Sequence, residues 1–142
     1  MQRKYGINNI LHANISEHVP EEICAEKFDL LLLPDVIEHI SDPLSFLSAM
    51  HKNFSPYVSR MLITTPYAFR FINIIKAIKN QEFINTDHRF WFTPYTLSKL
   101  LVLAGFHIKN IEFLEPENHR IARFLLGNIS LCYDTFSIEV EF

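Results

Sequence analysis

Only three glycines occur in this chain of 142 residues, at positions 6, 105 and 127. No GxG occurs anywhere, so the sequence offers no loop in which a missing β-carbon lets successive backbone amides close on a ligand. Cysteine is as sparse. Cys24 and Cys132 stand far apart with no CxxC pair, which points to free thiols in a reducing, cytoplasmic setting. No apolar run approaches the roughly 18 residues needed to span a bilayer. Thirteen Lys and Arg against sixteen Asp and Glu leave a net charge of -3, which removes any general pull toward nucleic acid, and no such partner is expected.

What remains is a globular composition, 49% hydrophobic and 20% charged, of a length that fits one domain with a real core. Its segments alternate. "NNILHANI" (Asn8–Ile15) reads as a short strand and "PEEICAEK" as a short polar helix or turn. "FDLLLLP" is a continuous apolar strand of the kind buried on both faces in parallel sheets. In "SDPLSFLSAMHKNFSP" Ser41 can cap, Asp42 and Pro43 suit a first turn, and Leu44, Leu47, Ala49 and Met50 recur at helical spacing. "SRMLITTP" is β-branched and apolar, a second strand.

"YAFRFINIIKAIKN" is amphipathic, with Phe71, Ile74, Ile75 and Ile78 on one face. "NQEFINTDHRFWF" is irregular and aromatic. "TPYTLSKLLVLAGF" carries Thr93 as N-cap, Pro94 at the first helical position and Gly105 at the end. "HRIARFLLGN" is helix-like and expected to cover a sheet face. "HIKNIEFLE" and "SLCYDTFSIEVEF" read as strands. This order predicts an α/β fold with a mostly parallel sheet.

The stretch Phe28–Ile40, "FDLLLLPDVIEHI", concentrates chemistry. A buried strand leads into Asp35, Glu38 and His39, and ligands in open α/β sheets bind beyond the carboxyl ends of strands. His39 is suited to accept a proton near neutral pH, with Glu38 orienting it or binding a polar group. The same residues also fit a plain solvated loop whose acids favour a helix start.

Three segments taken in order, "FDLLLLPDVIEHISDPLSFLSAM", "RMLITTPY" and "DHRFWFTPYTLSKLLVLAGF", resemble class I S-adenosylmethionine-dependent methyltransferases. The resemblance is to the small-molecule and ubiquinone-biosynthesis-like branch, and it covers most of residues 1–115. It implies a Rossmann-like, doubly wound, mostly parallel sheet of strand order three-two-one-four-five-seven-six. Phe28–Pro34 matches the fourth strand and Leu62–Pro66 the fifth. The likeness places Asp35 and Val36 on the methionine side of the cofactor and Glu38 and His39 at the active-site rim as catalytic residues. Thr65, Asp87, His88 and Trp91 fall at the acceptor pocket, and Asn14 near the adenine.

The chain departs from that pattern at its start. The glycine-rich loop after the first strand, and the acid that binds the ribose after the second, are both absent. The expectation is a domain truncated at the N-terminus, its first two strands missing, so that 1–142 is the C-terminal two-thirds of a methyltransferase domain with an unpaired strand edge open to self-association. The function implied is methyl transfer from S-adenosylmethionine to an oxygen or nitrogen of a small or lipid-like acceptor. The alternative is an inactive remnant that serves as a binding or assembly module, with cofactor binding weak or absent.

Asp35, Glu38, His39 and a distant His88 could together form a metal site, as in some RNA-end methyltransferases, but no metal is expected. Residues 69–80 fit either a lid helix packing its apolar stripe on the sheet or a peripheral membrane contact. Phe90, Trp91 and Phe92 fit either an acceptor cradle or core filling. Cys24 and Cys132 lack a neighbouring histidine motif and are not read as nucleophiles.

Overall fold

The computed structural model describes residues 11–82, 86–114 and 133–142. In chain order these form α1 (Glu21–Cys24), β1 (Phe28–Pro34), a 3-10 turn (Ile37–His39), α2 (Pro43–Phe54), β2 (Val58–Pro66), α3 (Phe71–Ile78), α4 (Pro94–Leu103), β3 (His107–Leu114) and β4 (Thr135–Glu141). The strands make one sheet of order β1-β2-β4-β3. β1 and β2 pair in parallel, and β4 runs antiparallel to both β2 and β3. Three strands therefore share a direction and only β4 opposes it.

One face of the sheet carries the core. Leu33, Met61, Ile63, Phe136, Ile138 and Val140 are buried there against Leu47, Met50 and Phe54 of α2 and Leu97 and Leu101 of α4. Strand periodicity of two sends alternate residues to this side, and each large apolar side chain so buried contributes about 1.5–3 kcal/mol. Helix ends are set locally. Asp42 caps α2 by accepting from the Ser45 amide and hydroxyl, at 3.1 and 2.7 Å. The Ser45 hydroxyl and amide hold the Asp42 carboxyl below its ordinary value, so this small contribution is present above the usual carboxylate range and lost as pH falls through it. Thr93 and Thr96 close a reciprocal capping box on α4, with Pro94 at its first position, as the sequence predicts.

Gly105 follows α4 with φ +106°, a backbone conformation that side chains with a β-carbon resist. A β-carbon there would also meet the His51 ring at 3.1 Å, and that ring is fixed edge-on against Phe106 at 4.9 Å. Gly105→Ala is expected to destabilise by about 1–3 kcal/mol. The measurement is the urea midpoint, which should fall with no change in the slope of the transition.

Three expectations are corrected. The strand read at Asn8–Ile15 is not present among the described residues: 11–13 are irregular and 14–16 form a turn, while 8–10 lie outside them. Asn14 donates from Nδ2 to Glu17 at 2.8 Å and the Ser16 amide donates to Asn14 Oδ1 at 3.3 Å, so local bonding holds the segment in a turn. β1 is not buried on both faces. It is an edge strand, with Leu33 buried but Leu30 and Leu32 exposed, because no helix covers the second sheet face among the described residues. Leu44 lies on the exposed side of α2, whose buried stripe is Phe46, Leu47, Met50 and Phe54. The helix expected at 119–128, Cys132 and the start of the last strand segment fall outside the described residues. Cys24 is exposed and free.

Candidate functional site

Parallel pairing of β1 with β2 brings their carboxyl ends together: Pro34 is level with Thr64, and the Asp35 amide donates to the Thr64 carbonyl at 3.0 Å. The chain then has to leave the strand sharply. Asp35 does so with φ +48°, a left-handed conformation that aspartate tolerates better than most residues. Its carboxylate accepts from Thr64 Oγ1 at 3.2 Å. Val36, half-buried, leads into the 3-10 turn.

That turn points Ile37 and Glu38 inward and His39 outward. Glu38 is 1% exposed. Its Oε2 accepts from the hydroxyl of buried Thr65 at 3.1 Å, while its Oε1 is buried with no partner. An unpaired buried acceptor is costly and uncommon, and it marks a place where a polar group is wanted. The Glu38 carbonyl accepts from the amides of Arg89 (2.7 Å) and Phe90 (3.3 Å), which fastens the segment around 87–90 over the turn. On that segment the Asp87 carbonyl lies 3.0 Å from His39 Nδ1. A carbonyl only accepts, so Nδ1 carries the proton and Nε2 of the neutral ring keeps its lone pair. His88 sets its ring edge-on to that of His39, centroids 4.7 Å apart at 88°.

Glu38, His39 and His88 thus converge, each with one ligating atom, and the three atoms lie within 4.8 Å of one another. A carboxylate with two imidazoles can hold a borderline divalent ion. Asp35, which the sequence groups with them, is not in this cluster; its carboxylate is turned to Thr64. Among the other candidates, Thr65 and Asp87 join the cluster, the latter through its backbone. Trp91 does not. It lines a separate open pocket with Asn73, Ala77, Asn80, Gln81 and Glu82. Asn14 is exposed and engaged with its own turn. The amides of Arg89 and Phe90 escaped the sequence reading, since a backbone donor leaves no residue-type signal.

The fold is that of class I S-adenosylmethionine-dependent methyltransferases, with the sheet order expected for the fourth, fifth, seventh and sixth strands of that fold. Solved structures bear this out. The chain is similar to the small RNA methyltransferase HEN1 (TM-score 0.63, 16% identity, 90% of this chain and 15% of that one). It is similar to a SAM-dependent methyltransferase from Archaeoglobus fulgidus (TM-score 0.59, 20% identity, 97% and 69%). A third similar structure is magnesium protoporphyrin IX methyltransferase from Synechocystis with bound SAH (TM-score 0.56, 14% identity, 91% and 48%). The chain therefore spans about half or less of the first and third of these. No protein-family model and no curated protein matches the sequence.

Proposed function

We propose that the chain carries out methyl transfer from S-adenosylmethionine to an oxygen or nitrogen atom of a small or lipid-like acceptor, in a cytoplasmic setting. The observation that carries this reading is the convergence of Glu38, His39, Thr65 and His88 at the shared carboxyl end of β1 and β2, in a methyltransferase fold. Asp35 and Val36 would lie along the cofactor's methionine portion. When bound, the cofactor supplies a methyl group on a sulfonium that already leaves well, so the protein's task is mostly positioning. His39 Nε2 would take the acceptor's proton, while the methyl–sulfur bond breaks and the cofactor leaves as the neutral thioether. Asp87 and Glu38 hold the histidine and the turn in place, and His88 and Thr65 border the acceptor.

A second reading, a chain that binds no cofactor and serves as a binding or assembly module, is favoured by one observation. Gly105, the one glycine among the described residues, lies against His51 at the end of the sheet opposite the carboxyl ends of β1 and β2. Titration calorimetry of the 142-residue chain with S-adenosylmethionine separates the two. Micromolar binding, weakened in Asp35→Ala, is the expected result. No heat up to millimolar cofactor would establish the module.

A further inference from the structure

α3 is built inside out. On its helical wheel Phe71, Ile74, Ile75 and Ile78 share one face, which the sequence offered as a stripe for packing on the sheet. The structure leaves Phe71 and Ile78 of that stripe exposed and Ile74 and Ile75 half-buried, outside the core of the sheet. The residue facing inward is Asn73, buried, which donates from Nδ2 to the Ala68 carbonyl at 3.0 Å and accepts from Arg70 Nε at 3.2 Å. Ile78 is 77% exposed and Ile72 45%, and Phe69, just before the helix, is 56% exposed. A buried asparagine with Phe71, Ile72 and Ile78 exposed is the reverse of a helix that packs on a core.

Charge supplies the other half of the pattern. Arg70, Lys76 and Lys79 lie in and beside this helix, and no acidic residue occurs between Pro66 and Gln81, although the whole chain is net negative. An exposed apolar face flanked only by cations is the composition of a helix that lies in the interface of an anionic bilayer. Its position fits too. Tyr67 and Ala68 leave the carboxyl end of β2 and bridge to Phe92, and Phe90 beside it is tied by its amide to Glu38. The apolar helix therefore stands at the same end of the sheet as the Glu38–His39–His88 cluster.

We propose that α3 seats this chain on an anionic lipid bilayer, apolar face down, so that lipid headgroups are presented to the cluster as methyl acceptors. The naming of the acceptor rests on the methyl-transfer reading; the docking itself does not.

Flotation of the full chain with phosphatidylcholine vesicles, with and without phosphatidylglycerol and without cofactor, tests it. Binding should be at least about tenfold stronger to the anionic vesicles and should fall at high salt. Ile72→Asp with Ile78→Asp should lower it at least about tenfold, with the circular dichroism spectrum unchanged because both side chains are exposed. Lys79→Glu should erase the preference for anionic lipid, and Leu32→Asp, on the sheet edge, should leave binding intact. No flotation with either vesicle, binding indifferent to the α3 substitutions, or loss in Leu32→Asp would each overturn the proposal. Concentration-dependent self-association abolished by the same α3 substitutions would also do so, since a second copy would then cover the face. Calorimetry with the cofactor reads independently of vesicles, so failure of docking and failure of methyl transfer are told apart.

Discussion

Truncating Phe136 to alanine is expected to remove about 3–5 kcal/mol of folding stability, where a domain of this size holds only about 5–15. Phe136 is fully buried in β4, between Thr65 of β2 and Phe113 of β3 in the register. Tyr67 meets its ring edge-on at 6.1 Å and Phe113 lies tilted at 6.4 Å. Among the described residues only one sheet face carries a core, and Phe136 belongs to it, so no second core offsets the loss. Leu32→Ala is the control: an apolar strand residue of the same sheet, 62% exposed on the other face, whose loss should stay within about 0.5 kcal/mol. Equal effects in the two variants, by urea denaturation, would show that the sheet is not one-sided.

His39→Ala is expected to lower methyl transfer by about 10²–10⁴-fold, the usual worth of a positioned general base. Its ring is exposed, so stability should hardly move. The measurement is transfer of label from methyl-labelled S-adenosylmethionine into the aqueous and lipid fractions of a cell extract. His39→Gln, which keeps a donor toward the Asp87 carbonyl but offers no base, should be equally impaired. One control decides the role. If activity of the unaltered chain is lost in EDTA and returns with Mn²⁺, the unpaired Glu38 Oε1 and the two histidines hold an ion, and His39 is a ligand instead of a base. Unchanged activity in EDTA with loss in His39→Ala supports proton removal by His39.

Local signals were the legible ones. Thr93, Pro94 and Gly105 mark both ends of α4 because capping is decided within one turn. The apolar runs around Leu33 and Ile63 announce strands because they are short, rich in Leu and Ile, and bounded by proline. That the "EH" and "TP" positions would meet was legible, since parallel neighbouring strands bring their carboxyl ends together. What the sequence could not carry was the identity of the neighbours. Amphipathicity shows that α3 has two unlike faces but not which one meets protein, and it took Asn73's bond to Ala68 to decide that. Four leucines read as doubly buried until β1 is seen at the rim with one neighbour. Asn8–Ile15 alternates like a strand, yet local side-chain bonds at Asn14 hold its end in a turn. The pairing of His39 with His88 joins positions 49 residues apart, and nothing in either tripeptide encodes it.

The two amides that close on the Glu38 carbonyl divide the support of the cluster. Glu38 and Thr65 meet through the pairing of β1 with β2, whereas His88 is held beside them by residues 87–90, which hang from the 3-10 turn by those two hydrogen bonds. One half of the constellation is thus built into the sheet and the other is tethered to it.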